Sequence, residues 1–447
     1  MKTNIQKYPA YKDSGVEWLG KIPNHWEIIR LKNIIRAKIT DGPHVTPEFI
    51  DEGIPFLSVD GIQNGELVFE NSRLISLNDH IKYQKKCRIE KFDILMGKAA
   101  SIGKIAQSKV DFEYSIWSPL ALIKPNLEKF NATFMEYYLK STLSQYQIEI
   151  LCTSNTQKNI SMDDIPKIIL TFPPLPEQTA IAAFLDRKTT LIDQAIGIKQ
   201  KQIELLKERR QILIHNAVTR GLNPNVKMKD SGVEYLGDIP KEWNVVRFKY
   251  IIRTKARLGW KGLKASEYVD NSDYGFLATP NIKGENIDYS GAYFITKKRY
   301  EESPEIMLKK DDILLVKDGS TLGIINIVKS MPFNCTVNSS IAVLRILDDN
   351  LLNAEYLNYF LKSDYSQKII ELKKDGMGVP HLFQSDINNF IALIPTFKEQ
   401  KEILIHIEKQ ITKTSTAISL KEQEIEKLKE YKATLINSAV TGKIKVS

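Results

Sequence analysis

Cysteine is scarce in this chain. Cys87, Cys152 and Cys335 are three in 447 residues, far apart and odd in number. That excludes a disulfide framework and any metal-ligand spacing, and it fits a reducing compartment. No run of about 18 uncharged apolar residues occurs, so no membrane-spanning helix is expected. The stretch Met1–Tyr8 is polar and lacks the apolar core of a secretion signal. The expectation is a cytoplasmic protein with no membrane partner.

Catalytic signatures are missing too. A DNA adenine methyltransferase needs a glycine-rich cofactor loop after a strand and an Asn/Asp-Pro-Pro-aromatic motif. The Pro-Pro of this chain sits in Phe172-Pro173-Pro174-Leu175, with the wrong neighbours. No Gly-x4-Gly-Lys-Ser/Thr phosphate loop appears. A metal-dependent nuclease places an acid and a Glu-x-Lys string on adjacent strands so that carboxylates hold magnesium. Glu399-Gln400-Lys401 and Glu371-Leu372-Lys373 fit the string, with Asp386 and Asp364 upstream, but both lie in helical pattern. The six histidines show no metal-binding spacing: His215 and His406 fall on helical runs, and His25, His44, His80 and His381 are scattered. A non-catalytic chain with no metal and no cofactor of its own is expected.

What is present begins with charge. Lys and Arg number 63 against 54 Asp and Glu, a formal +9. The excess favours a polyanionic partner, although a modest surplus of lysine also serves solubility. The decisive feature is an internal repeat. Residues 11–36, YKDSGVEWLGKIPNHWEIIRLKNIIR, recur without a gap as MKDSGVEYLGDIPKEWNVVRFKYIIR at 228–253. NATFMEYYLKSTLSQ at 131–145 is answered by NAEYLNYFLKSDYSQ at 353–367, and the segment from Glu177-Gln178 to Ala217-Val218-Thr219 by that from Glu399-Gln400 to Ala439-Val440-Thr441. Between these ends, 37–130 and 254–352 agree only in outline: Asp93-Ile94-Leu95 with Lys98 and Ser101 answers Asp312-Ile313-Leu314 with Lys317 and Ser320. Similar ends imply one scaffold built twice. Dissimilar middles imply two surfaces facing different chemical patterns, or drift in solvated loops.

Each middle alternates short β-rich runs with turns: IPFLSV at 54–59, the turn Asn64-Gly65 and LVF at 67–69, then DILLV at 312–316 and GIINIV at 323–328 in the second copy. Helical stretches follow at 134–151 and 356–372. Each half then ends in a long helix. Pro173-Pro174-Leu175-Pro176 closes the globule, and an unbroken helical pattern runs from Glu177 to about Thr219, stopped by Gly221 and Pro224. Leu185, Ile192, Ile196, Ile203, Leu206, Leu213 and Ala217 share the a and d positions of one heptad frame, with Lys199 and Arg210 beside them. Ile407, Ile411, Ile418, Ile425, Leu428, Leu435 and Ala439 repeat it, with Lys421 and Lys432 beside them. Two such stripes in one chain satisfy each other, and the sequence order favours an antiparallel pair. Packing of each helix on its own globule is the alternative. Phe184, Leu191, Ile198, Leu205 and Ile212 form a second apolar column, fit for that role or for an outside protein. The expected fold class is mixed α/β: two pseudo-symmetric α/β globular domains separated by two long antiparallel coiled-coil helices.

The DSGVEWLG-IP-W opening, the PLPEQ helix start and the KER…NAVT-G exit resemble the specificity subunits of type I restriction-modification systems, twice over essentially the whole chain. The second helix start, IPTFKEQ, departs from PPLPEQ. The resemblance implies target recognition domains at 1–172 and 222–394 and conserved helical spacers at 173–221 and 395–447. It implies binding of double-stranded DNA at a split target, two modification (methyltransferase) subunits docked along the helices, and restriction/translocase subunits. S-adenosylmethionine, ATP and magnesium would then sit on those partners, and none on this chain. The competing reading is a DNA-binding or coiled-coil scaffold protein with no methyltransferase partner.

A DNA reader positions itself by phosphate contacts and specifies sequence through base edges. The polar, glycine-punctuated loops of the divergent middles are therefore the candidates. In the first domain they contain His44, Lys98, Ser101, Lys104, Asn155, Gln157, Lys158 and Asn159. In the second they contain Arg257, Lys261, Lys317, Ser320, Lys374, His381 and Gln384. Leu185, Ile192, Ile196, Ile203, Leu206, Leu213, Ile411, Ile418, Ile425, Leu428 and Leu435 are the candidates for helix pairing and partner docking. Half-sites separated by about one helical turn, ~34 Å, with unread base pairs between them, are the geometric expectation.

Overall fold

The computed structural model describes residues 6–152, 158–256, 263, 267–374 and 380–446. The chain packs as two compact units, 1–199 with 422–447 and 200–421, so the division falls inside both long helices.

The centre of the first unit is a four-stranded antiparallel sheet ordered Ile105–Gln107, Ile94–Gly97, Leu120–Ile123, Thr40–Asp41. The second unit repeats the order with Ile325–Ile327, Ile313–Val316, Ile341–Ile346 and Ile252–Lys255. Runs such as LALI and ILLV are apolar at every position because both faces of the sheet are covered. Side chains alternate across a strand. Ile94 and Met96 therefore join a core with the helix Ala132–Lys140 and the long helices, while Leu95, Leu120 and Leu122 face Leu57 and Ile116 of a second sheet. In the other unit Ile313 and Leu315 lie on the helix side, and Leu314 and Val316 on the opposite side.

The second sheets also correspond. Ser115–Ile116 runs parallel to Ile54–Leu57, which pairs with Arg73–Ile75. Asn334–Val337, Tyr274–Leu277 and Tyr293–Ile295 repeat the pattern, extended by Tyr268–Val269. The middles therefore share a topology that their sequences barely show. Asn64 and Gly65, both at positive φ (52° and 81°), close a two-residue hairpin between Ile62–Gln63 and Glu66–Leu67.

The helical stretch expected at 134–151 is two helices, Ala132–Lys140 and Thr142–Ile150. Ser141 ends the first and caps the second by accepting from the Ser144 amide. In the second unit Lys362 ends the helix Ala354–Leu361, and Ser363 caps Asp364–Lys373 by accepting from the Ser366 amide.

The repeated end segments pack against one another. Trp26 Nε1 donates to Glu177 Oε2 (3.1 Å), and Trp243 Nε1 to Glu399 Oε2 (3.0 Å). Gln178 Oε1 accepts from the Asn131 amide and Gln400 Oε1 from the Asn353 amide, each at 2.8 Å. The side-chain amide of Gln178 donates to Pro173 O (2.8 Å) and that of Gln400 to Pro395 O (3.1 Å). The helix start at IPTFKEQ is thus held as the one at PPLPEQ is, because the glutamate and glutamine make these contacts and the two replaced prolines, Pro174 and Pro176, make none of them.

The long helices are Leu175–Arg220, 46 residues, and Phe397–Val440, 44 residues. At 1.5 Å per residue the first is about 69 Å long. Within the first unit they run antiparallel: Asp193 pairs with Lys432 (2.6 Å) and Lys199 with Glu424 (2.5 Å). Leu185 and Ile192 share a core there with Leu435 and Ala439, and Ala217 shares the second unit's core with Ile407.

Candidate DNA interface

In each unit two of the candidate loops meet, among the described residues, at one end of the central sheet. Lys98 follows the strand Ile94–Gly97, and its carbonyl accepts from the Ile160 amide (3.0 Å). The next residue, Ala99, forms a β-bridge with Asn159. Lys317 follows Ile313–Val316, its carbonyl accepts from the Leu382 amide (2.9 Å), and Asp318 bridges His381. Loops about 60 residues apart in sequence are thereby tied together, the same way twice.

A third loop joins them. Asp41 ends its strand, is buried, and lies 3.3 Å from Lys98 Nζ and 2.6 Å from Lys86 Nζ. Burial works against its charged form, but the hydrogen bonds and charges of Lys86 and then Lys98 outweigh it and hold the carboxyl below the usual range. Gly42 lies on the backbone of Ile116 and Trp117, where a Cβ would fall 1.8 Å from Ile116 O. His44 is exposed, with Nε2 3.2 Å from Asp41 Oδ2. In the second unit Gln384 Nε2 donates to Thr254 O (2.8 Å), tying the 380–384 segment to the strand Ile252–Lys255.

The other candidates fall as follows. Ser101 and Lys104 are half-buried, Lys104 Nζ reaching Val59 O at 3.4 Å. Lys158 is exposed and paired with Glu149, and Asn159 is exposed. Ser320 is exposed, and Lys374 lies 2.9 Å from Glu371. Asn155, Gln157, Arg257 and Lys261 lie outside the described residues. Lys86 escaped the sequence reading, and Asp318 lies inside the candidate loop Lys317 to Thr321 without having been singled out. Asp318 is adjacent to a candidate lysine, whereas nothing in the sequence around Lys86 connects it to Asp41.

The heptad residues lie in the helix pair. Leu185, Ile192, Ile203, Ile418, Ile425 and Leu435 are buried, and Ile196, Leu206, Leu213, Ile411 and Leu428 are half-buried. Leu185, Ile192 and Ile196 share one apolar cluster with Leu428 and Leu435 of the other helix, and Ala217 shares a second with Ile407 and Ile411. In the other column Leu191, Ile198, Leu205 and Ile212 are exposed. Among the described residues no cluster could hold a metal ion, and no helix is long and apolar enough to cross a membrane.

The sequence profile of the type I restriction modification DNA specificity domain matches twice, at residues 23–208 and 240–430. The chain belongs to this family. Full-length relatives include the specificity subunit of the type I restriction enzyme MjaVIII of Methanocaldococcus jannaschii, 24% identical over 435 residues that cover 95% of this chain and 94% of the relative. The EcoKI specificity subunit of Escherichia coli K12 is 22% identical over 436 residues, covering 95% and 90%. The fold is shared with a chain from a study of the assembly and conformational transition of a type I restriction-modification system (TM-score 0.68, 14% identity, 95% of this chain and 99% of that chain). It is shared also with the HsdS subunit from Thermoanaerobacter tengcongensis (TM-score 0.52, 14% identity, 95% and 98%). In this specificity-family chain the two profile matches each take in one central sheet and most of one long helix.

Proposed function

We propose that this chain is the non-catalytic, cytoplasmic DNA-reading subunit of a type I restriction-modification complex, in which domains 1–172 and 222–394 each read one half of a split target and the helices 173–221 and 395–447 act as spacer and docking surface. One observation carries the reading. The same loops converge at the same end of the same sheet in both units, and these loops are where the two copies differ in sequence. A scaffold that presents different side chains at one fixed place suits two readers facing different base sequences.

Two methyltransferase subunits would bind along the helices, and the exposed column Leu191, Ile198, Leu205 and Ile212 offers them apolar surface beside the occupied heptad stripe. Adenine methylation with S-adenosylmethionine, and ATP- and magnesium-dependent restriction, belong in this reading to the partner subunits.

The test is to sequence, with methylation-sensitive long reads, the genome of a strain expressing this chain with its partners. A methylated motif split by unread base pairs is expected, and replacing residues 37–170 by those of a relative should alter one half of it alone. A continuous motif, or one altered in both halves by that exchange, overturns the proposal.

A further inference from the structure

Each unit holds a histidine against a carboxylate that is shared with a lysine at the end of a central strand. In the first, Asp41 Oδ2 lies 3.2 Å from His44 Nε2 and 3.3 Å from Lys98 Nζ. In the second, Asp318 Oδ1 accepts from His381 Nδ1, and Asp318 Oδ2 lies 3.1 Å from Lys317 Nζ. Lys98 and Lys317 are equivalent by position, but their companions are not. Asp41 and His44 come from the loop that precedes the sheet's inner strands, whereas Asp318 directly follows the lysine and His381 belongs to the segment that bridges it. Duplication placed the lysines. It did not place the aspartates and histidines, which reach the same arrangement from different points in the chain. A shared task accounts for that.

We propose that His44 and His381 are the side chains that reach DNA, one in each half-site, and that Lys98 and Lys317 are positioning residues that hold the carboxylate. This rests on the DNA-reading function proposed above. The lysine side chains are 11% and 12% exposed and the histidines 68% and 36%, so the ring is the member that faces solvent. A carboxylate only accepts, so the ring nitrogen bonded to Asp318 carries its hydrogen. Nδ1 of His44 and Nε2 of His381 are the nitrogens left over by the carboxylates: each accepts from a base-edge donor when the ring is neutral, and donates to a base-edge acceptor or a phosphate oxygen when the ring carries both hydrogens.

Both rings are directed before DNA arrives. His381 packs edge-on against Phe383 with centroids 4.6 Å apart, and His44 follows Pro43 and the tightly seated Gly42. Such preorganisation lowers the ordering cost of binding. Lys98 shares the buried Asp41 carboxylate with Lys86, and Lys317 lies against Asp318, so each carboxylate under a ring has a cation beside it.

The assay uses the full chain assembled with its methyltransferase subunits, reading the methylated motif and the salt-dependent affinity for duplex DNA carrying it. If the rings read bases, His44→Ala lowers discrimination about fivefold to a hundredfold at one base pair of one half-site, and His381→Ala does so in the other half. If the rings meet phosphate, each variant keeps the motif but weakens binding to all sequences alike. A split motif whose bases and affinity are untouched by both histidine variants overturns the proposal, whereas a continuous wild-type motif overturns the function beneath it. Lys98→Met and Lys317→Met are expected to loosen the same base pairs or weaken binding as the histidine variants do, with Lys98→Arg restoring the wild-type pattern. A lysine variant that reduces the salt slope by about one, leaves the motif intact and has no counterpart in the histidine variant shows direct phosphate contact and overturns the positioning role.

Discussion

Glu136 and Asn358 stand at the same place, the fifth residue of the helix that packs on each central sheet, and only Glu136 answers the lysine one turn on. Lys140 Nζ lies 2.5 Å from Glu136 Oε1, with Lys109 3.6 Å from its other oxygen. In the second unit Lys362 Nζ instead donates to Gly284 O (3.0 Å), and Asn358 is buried with no partner for Oδ1 among the described residues. Burial, and then the charge of Lys329, push the Lys362 amine down to about 8.

The second unit's stability should therefore rise with pH. Between about 8 and the ordinary lysine value of 10.5 the unfolded chain holds a proton that the folded chain has lost, so alkali favours folding. Urea denaturation from pH 7 to 10.5 should show a gain of up to about 3 kcal/mol in that unit. Asn358→Glu, which supplies the carboxylate of the first unit, and Lys362→Met should each flatten the rise. A slope unchanged in both variants contradicts the assignment to Lys362.

Asp41 gives the first unit a dependence of the same sign in the acid range. Its folded carboxyl lies below the ordinary value, so its contribution is complete above about pH 4 and disappears as acid protonates it in the folded state. Asp41→Asn should cost about 3 kcal/mol at neutral pH, since Lys98 is left partly buried without its partner, and should reduce the unit's sensitivity to acid. Melting curves of both proteins at pH 7 and pH 3 supply the comparison.

Gly442 and Gly221 end the two long helices at φ +73° and +76°, against Trp26 and Trp243 respectively. A Cβ on Gly442 would fall 2.3 Å from Pro23 Cδ, whereas one on Gly221 meets nothing nearer than 3.3 Å. Both alanine variants carry the left-handed strain of about 1 kcal/mol, and Gly442→Ala adds overpacking of about 1–3 kcal/mol. Gly442→Ala should accordingly melt lower than Gly221→Ala; equal losses would mean that backbone strain alone decides.

Replacing Leu191, Ile198, Leu205 and Ile212 together by Ala should leave the melting temperature nearly unchanged and abolish co-purification with methyltransferase subunits. Leu185→Ala, by contrast, removes a fully buried side chain and should cost about 2–5 kcal/mol. Intact assembly of the fourfold variant would place docking elsewhere on the chain.

The scaffold was legible in the sequence because its contacts are made by the repeated residues themselves: the tryptophan of the opening segment meets the glutamate of the helix start, and the heptad stripes bury each other. The central strands were legible from apolar runs such as ILLV. The short strands of the second sheets were less so, since two- to four-residue segments carry too little periodicity. Breaks such as Ser141 hid inside helical pattern, where a serine reads as an ordinary polar position until its cap is seen. Single-residue roles at the interface stayed out of reach because they depend on meetings across the chain. Lys98 is a candidate for DNA contact in the sequence, and nothing there shows that Asp41, 57 residues earlier, lies beside it.

The alternation along the central strand has a practical consequence for anyone building hybrid proteins. Ile94 and Met96 belong to the same apolar cluster as Trp26 and Leu185, while their neighbour Leu95 belongs to the cluster of Leu57 and Ile116. A graft cut by residue number imports both sets, and the first must fit a host helix it has never met. Transplanting every second side chain of the strand together with the outer sheet, and keeping the host's residues on the helix side, moves the variable layer and leaves the inherited seam intact.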